Sequence, residues 1–229
     1  MSYAPNWLKR IGEKLVYGNR QSNAGLYGDR SIEWSWVAAR APPGPGSALD
    51  FGPGDSYLSL VLARKGFDVL ALDIEPIRWP FSHPSIRHLR GDILETQLPE
   101  HQFDLIVNCS SIEHVGLKGR YQTPHDNPDG DLLAMNRLAN WLKPTGSMIL
   151  TIPIGLDANF SPLHRVYGTS RLPRLLESCK IEDAEYWVKK TGTWILATES
   201  DALSFVPTVS YQVPSMSTYA LGCFVLRHK

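Results

Sequence analysis

The sequence predicts an α/β fold: a Rossmann-like, doubly wound, mostly parallel sheet with antiparallel C-terminal strands, in a three-layer αβα sandwich. Three observations carry this. Between residues 47 and 152, short apolar runs alternate with longer amphipathic ones, separated by Gly/Pro turns, the pattern of repeated strand–helix units. A glycine turn follows the first apolar run directly. The last third changes to aromatic and β-branched segments without long crossover helices between all of them, which reads as an antiparallel completion.

Taken in order, residues 1–46 read as an N-terminal helical cap. Ile32, Trp34, Trp36 and Val37 lead into Ala38 and Ala39, while Tyr17-Gly18 and Tyr27-Gly28 look like turns. The stretch Ala41-Pro42-Pro43-Gly44-Pro45-Gly46 cannot be helix or central strand. It opens the main domain, 47–229. Strands are expected at 47–51, 69–73, 86–90, 103–108 and 147–152. Helices are expected at 57–65, ended by Gly66, and at 132–142, with Lys143-Pro144-Thr145-Gly146 as a turn. Residues 181–188, 193–197 and 219–226 are the closing strands, and the Pro- and Ser-rich 207–217 is a loop.

Bulk properties narrow the class. The 229 residues suffice for one substantial domain with a small insertion. With 43% hydrophobic and 20% charged residues, the chain is globular rather than disordered. Lys+Arg and Asp+Glu both number 23, so no basic excess points to nucleic acid. Three scattered cysteines offer neither a zinc knuckle nor a disulfide framework. Without a signal-like N-terminus or an apolar run of roughly 20 residues, a cytoplasmic protein is expected.

The chemistry-bearing feature is Ala48-Leu49-Asp50-Phe51-Gly52-Pro53-Gly54-Asp55-Ser56. A strand runs into a glycine turn and then a helix, so a ligand is expected beyond the carboxyl ends of the strands. The glycines alone suit a dinucleotide equally well. However, Tyr57 stands where a third glycine would fall, and Asp50 and Asp55 would repel a pyrophosphate. Two acids suit a positively charged ligand, and S-adenosylmethionine carries an ammonium and a sulfonium without a phosphate. Asp73, at the second strand end, is spaced to accept from ribose hydroxyls. Asp92 is placed to accept from an adenine amino group, with Ile93 packing on the ring.

These residues resemble the class I S-adenosylmethionine-dependent methyltransferases over about 47–155. The resemblance rests on Leu49-Asp50-Phe51-Gly52-Pro53-Gly54, Leu72-Asp73-Ile74-Glu75, Gly91-Asp92-Ile93, Phe103-Asp104-Leu105-Ile106-Val107 and Leu142-Lys143-Pro144-Thr145-Gly146. It implies that Asp50, Gly52, Gly54, Asp73, Ile74, Asp92 and Ile93 contact S-adenosylmethionine, joined at the fourth strand end by Asn108, Cys109 and Ser110. Thr145 departs from the family pattern, where a second glycine is usual.

At the reacting end stands Asn108-Cys109-Ser110-Ser111-Ile112-Glu113-His114. His114 is the candidate general base, with Glu113 beside it, because imidazole titrates near neutrality. The bland alternative is that both shape the loop and cap the next helix. Some relatives hold a divalent ion through Glu-x-x-Glu-His plus a later residue. Here Ser110 replaces the first Glu, leaving Glu113, His114 and a distant His164, so no metal site is expected. Arg120, Tyr121, His164, Arg165 and Tyr167 offer polar groups for a hydroxylated acceptor. His125-Asp126-Asn127-Pro128-Asp129-Gly130-Asp131 lacks the closing glutamate of a calcium loop and reads as a turn capping the helix near Leu132.

Ser-Ser-Ile-Glu-His-Val-Gly-Leu, Gly-Arg-Tyr, Asp-Pro-Asp-Gly-Asp and His-Arg-Val-Tyr also resemble a methyltransferase subgroup linked to surface-polysaccharide and secondary-metabolite pathways. The expectation is O-methylation of a sugar or related hydroxylated small molecule or glycan. N-methylation is the alternative, although no Asn/Asp-Pro-Pro-Tyr motif occurs. A non-catalytic or NAD-linked nucleotide-binding protein is the reading from another class.

Overall fold

The computed structural model describes residues 28–119, 121–123, 126–213 and 217–229. The predicted turn at Tyr17-Gly18, Tyr27 and the candidate substrate residue Arg120 lie outside the described residues. Helix α1 (Arg30–Arg40) starts where the Asp29 carboxylate accepts the Arg30 N–H, satisfying one of the open donors of a first turn. It turns Trp36 and Val37 inward and packs against the sheet, so this part of the expected cap belongs to the main core.

The sheet then builds by strand–helix alternation. Strand β1 (Gly46–Phe51) leads through the glycine turn into α2 (Leu58–Arg64), β2 (Phe67–Asp73) and β3 (Ile86–Arg90). Residues 91–102 carry the chain to β4 (Phe103–Cys109) without a helix. A 3₁₀ turn (Ile112–His114) precedes α3 (Gly130–Trp141), which runs into β5 (Leu142–Ile154). After β5 come the hairpin β6 (Ala158–Phe160) and β7 (His164–Val166), α4 (Arg171–Leu175), β8 (Cys179–Lys190), β9 (Thr193–Ala197), α5 (Glu199–Leu203) and β10 (Ala220–His228).

The eight-stranded sheet has the order β3-β2-β1-β4-β5-β10-β8-β9. The first five strands are parallel. β10 inserts antiparallel between β5 and β8, and β9 folds back on β8. The β8–β9 turn is Thr191-Gly192, with φ of 47° and 84°, the sign that matches the twist of two paired strands. The expected α/β class, parallel core and antiparallel completion are all present.

Both faces of the sheet are covered, which is why its central strands read as unbroken apolar runs. Successive residues point to opposite faces. Ala48, Leu105, Val107 and Ile149 pack with Trp36 and Val37 of α1 and Leu58 and Leu62 of α2. Leu49, Ile106, Met148 and Leu150 pack with Ala134, Met135 and Leu138 of α3, Leu172 of α4 and Ala202 of α5.

Three differences from expectation have simple causes. The expected turn 143–146 is taken into β5, where the pairing with β4 shifts register between Phe103 and Leu105. The β6–β7 hairpin lies in 157–167, read only as a polar recognition stretch, because three-residue strands are too short for alternation to register. α4 and α5 are five residues each, below the length at which helical periodicity shows. No helix among the described residues is long and apolar enough to cross a membrane.

Candidate functional site

The strand order reverses at β1, whose neighbours are β2 and β4. The crevice beyond the carboxyl ends of these strands is where an open α/β sheet admits a ligand. Asp50 sits just inside β1, 1% exposed, and its Oδ2 accepts the Ser59 hydroxyl at 2.5 Å. Burial raises its carboxyl to about 7, since removing water disfavours the charged form. Gly52 follows at φ 64°. A Cβ there would stand 2.4 Å from Ser111 Oγ, whose hydroxyl donates to Gly52 O at 2.9 Å. Gly54, at φ 50°, has open space where a Cβ would stand. Its N–H donates to Asp73 Oδ2 at 3.0 Å.

Asp73 therefore braces the turn. Its other oxygen accepts the Glu75 N–H at 2.8 Å, and burial raises its carboxyl despite these two donors. A carboxylate with about four acceptor positions retains capacity for ligand hydroxyls. Trp79 Nε1–H donates to Gly54 O at 2.9 Å, fixing the turn from outside. One strand further, Asp92 Oδ1 accepts the Leu94 N–H at 2.9 Å, and Ile93 is buried beside it. Ile74 contributes its carbonyl to Arg90 Nε at 3.4 Å. Gln122 accepts from Arg90 at 2.7 Å and donates twice to Glu75 at 3.1 Å, tying the segment after the 3₁₀ turn to the ends of β2 and β3.

At the end of β4 the polar balance is unusual. Asn108 is fully buried, paired across from Phe51, yet among the described residues neither its Nδ2 nor its Oδ1 has a hydrogen-bond partner. A buried orphan amide costs free energy and calls for a partner. Cys109 follows, its thiol pushed well above the usual range by burial and by the Glu33, Asp50 and Glu113 carboxylates. Ser110 adopts φ 47°, uncommon for a residue with a Cβ, and its hydroxyl donates to Glu33 Oε1.

Glu33 was not among the residues expected at the site. It is 2% exposed, and the Thr151 hydroxyl donates to the same Oε1 at 2.7 Å. Burial, aided by the Asp29 carboxylate, raises it to about 7 against the two hydroxyls and Arg30. A signal existed: Glu33 precedes Trp36 and Val37 by three and four residues, placing an acid on the apolar face of α1. Nothing local points to its partners, which lie just past β4 and on β5.

His114 Nδ1 lies 2.6 Å from Leu163 O. A carbonyl only accepts, so Nδ1 carries the hydrogen and Nε2 is the basic nitrogen. Nε2 is 3.6 Å from Glu113 Oε1, and the ring meets Tyr121 edge-on at 5.2 Å. His164 is buried, its ring edge-on to Phe160 and Tyr219. Tyr219 in turn donates to Asp29.

Arg165 and Tyr167 stand elsewhere than a substrate contact would. Arg165 is 1% exposed, its guanidinium donating to the carbonyls of Glu113, Val115, Asn127 and Pro128. Tyr167 is buried, with its hydroxyl donating to Asp131 Oδ2 at 3.0 Å. Asp131, wholly buried in the first turn of α3, also receives Arg171 at 2.5 and 2.8 Å. Arg165 and Tyr167 thus clamp the 3₁₀ turn and the start of α3 onto β7 and the residue that follows it. Of the expected set, the crevice brings together Asp50, Gly52, Gly54, Asp73, Asn108, Cys109 and Ser110.

Comparison with known proteins agrees with this architecture. Residues 93–187 match the family described as Caenorhabditis protein of unknown function, DUF268. Uncharacterized methyltransferases of Mycobacterium tuberculosis and Mycobacterium bovis are 28% identical over 131 residues, covering 55% of this chain and 57% of theirs. The chain thus spans a little over half the length of the curated relatives it matches. A 1,6-didemethyltoxoflavin-N1-methyltransferase of Burkholderia thailandensis, solved with 1,6-didemethyltoxoflavin and S-adenosylhomocysteine, superposes with TM-score 0.55 at 15% identity. That match covers 100% of this chain and 92% of the other. A TehB-like S-adenosylmethionine-dependent methyltransferase of Corynebacterium glutamicum gives 0.53 at 20% identity, covering 98% and 97%. These likenesses establish the fold.

Proposed function

We propose that this chain, which has the class I S-adenosylmethionine-dependent methyltransferase fold, transfers a methyl group from S-adenosylmethionine to a hydroxyl of a small molecule, a sugar or related metabolite. One observation carries the reading. At the carboxyl ends of adjacent strands stand a buried acid before a two-glycine turn, an acid bracing that turn, and an orphaned buried amide, Asn108. Such a crevice suits a ligand with a cationic amino-acid part and a ribose, and it disfavours a pyrophosphate.

The residues fit that cofactor. Asp50 and Asn108 would face its amino-acid portion, with Gly52 and Gly54 allowing close approach. Asp73 and Ile74 would line the ribose, and Asp92 with Ile93 the adenine. The cofactor supplies a methyl group on a positively charged sulfur. The chain supplies alignment and a proton acceptor. As the new carbon–oxygen bond forms, the carbon–sulfur bond breaks and the acceptor's hydroxyl proton must leave. Nε2 of His114 is the candidate to take it. The Leu163 carbonyl fixes its tautomer, and Glu113 stands ready to balance the resulting imidazolium. Tyr121 and His164 are the proposed acceptor contacts, with Arg120 beside them in sequence. Arg165 and Tyr167 act through the clamp rather than by touching the acceptor. The three free thiols support a reducing, cytoplasmic setting.

Calorimetry with S-adenosylmethionine and with NAD tests the cofactor. Micromolar binding of the first and none of the second is expected, and the reverse overturns the reading. Screening nucleotide sugars, glycans and phenols with methyl-labelled cofactor identifies the acceptor. Label appearing only on nitrogen would overturn the hydroxyl assignment.

A further inference from the structure

Three buried carboxylates act on the thiol of Cys109 and raise it with burial: Glu33 from α1, Asp50 from β1 and Glu113 from the 3₁₀ turn. Among the described residues no ion pair forms to Glu33 or Asp50. Of the two, Glu33 has no place in the sequence pattern of the cofactor loops. Its carboxyl accepts from Ser110, just past the carboxyl end of β4 and next to Ser111, whose hydroxyl holds the glycine turn. It therefore stands beside the β4 side of the crevice.

The groups facing it are few. Its own helix presents Asp29 and the exposed Arg30, whose guanidinium lies over the Trp34 ring. The end of β4 presents the Cys109 thiol and, one residue on, the Ser110 hydroxyl; β5 presents the Thr151 hydroxyl and β10 the Cys223 thiol. The chain entering β10 brings Tyr219, already bonded to Asp29. Both hydroxyls donate to the carboxyl and stabilise its charged form, while burial and the neighbouring acids oppose it. An acid held this way is stabilised by a positive charge brought to the crevice.

We propose that Glu33 is the carboxylate that reads the sulfonium charge, so that the crevice prefers S-adenosylmethionine to its demethylated, uncharged product. The inference rests on the cofactor reading above and extends it to a residue outside the cofactor motifs. Binding of the charged donor draws Glu33 into its ionised form. Loss of the methyl leaves a neutral thioether, the carboxylate loses its counter-charge, and the product's affinity falls. Since donor and product share the same amino acid, ribose and adenine, any difference between them isolates the sulfur.

Isothermal titration of the full chain with S-adenosylmethionine and with S-adenosylhomocysteine, at pH 7 in buffers of different ionisation enthalpy, tests this. An acid near half-protonation when free should release roughly 0.5 proton more with the donor than with the product. Glu33→Gln should weaken the donor about tenfold and the product less than about twofold, and Glu33→Asp should recover part of the loss. Circular dichroism verifies that the variants fold, and the proton-release arm needs only the wild-type chain. Equal proton release for both ligands overturns the role of Glu33 while leaving the cofactor assignment standing, as does a Glu33→Gln variant that weakens both alike. Failure of the wild type to bind either ligand overturns the cofactor assignment, and this inference with it.

Discussion

The two halves of the crevice are built in different ways. The half at β1, β2 and β3 consists of short contiguous motifs. Asp50 to Gly54, Asp73 to Glu75 and Asp92 with Leu94 each shape their own turn through hydrogen bonds within a few residues or to the next strand. The half at β4 is assembled from afar. Glu33 meets Ser110 and Thr151 across 77 and 118 residues, His114 meets Leu163 across 49, and Arg165 meets Glu113 across 52. In the proposed function the first half would hold the cofactor. The second would face the acceptor, and its geometry depends on the clamp around Asp131. A local turn tolerates change elsewhere, whereas a long-range cluster fails when one anchor fails.

Changes in the clamp are therefore expected to have the largest effect. Asp131→Ala leaves the buried Arg165 without its carboxylate and takes the main partner from the half-buried Arg171, at about 3–5 kcal/mol of stability, measurable by denaturant titration. If the protein stays folded, S-adenosylmethionine affinity should persist while turnover collapses. Parallel loss of cofactor binding would show that the two halves are not separable.

Within the acceptor half, His114→Ala should lower kcat by about 10²–10⁴ and leave the dissociation constant for S-adenosylmethionine unchanged. Full turnover in this variant would remove the proton-acceptor role without touching the cofactor assignment. In the cofactor half the expectation is reversed. Asp73→Ala loses both the brace on Gly54 and a ribose acceptor, and should weaken S-adenosylmethionine by roughly 10–100-fold. A thermal melt separates this from general unfolding.

Proton linkage sharpens the contrast further. Glu33 and Asp50 both sit near 7 in the folded protein, above ordinary values of 4.5 and 3.8. Between those limits the folded state binds more protons than the unfolded one, so their contribution to stability falls as pH rises. The free protein should melt higher at pH 5.5 than at pH 7.5, and Glu33→Gln should shrink that difference. A melting temperature that rises over this interval, unchanged by the variant, would contradict the burial argument. The smallest effect belongs outside both halves. Lys143 pairs with Asp104 at 2.8 Å where both are more than one-third exposed, so Lys143→Met should cost less than about 1 kcal/mol.

The same division explains what could be read in advance. The turns at the ends of β1, β2 and β3 are legible in the chain alone because their spacing is set by strand length and turn shape, both local quantities. Asp50 and Asp73 were expected as ligand-facing acids, and the structure adds that one is clasped by Ser59 and the other braces Gly54. Arg165 and Tyr167 illustrate the opposite case. Polar side chains in a loop read as substrate contacts, but burial turns them into a clamp, and burial is not written in a six-residue motif. Glu33 is hidden for the same reason, since the isolated helix does not show which acid is covered.

By itself, the sequence determined the alternation of strands and helices, the glycine turn with its acids, and hence the class of fold. These follow from periodicity and backbone freedom acting over a few residues. Only the tertiary structure decided that β10 enters between β5 and β8, that Arg165 is structural, and that an acid from α1 reaches the end of β4. Each depends on which distant surfaces exclude water together, and desolvation belongs to the assembled molecule rather than to any stretch of chain.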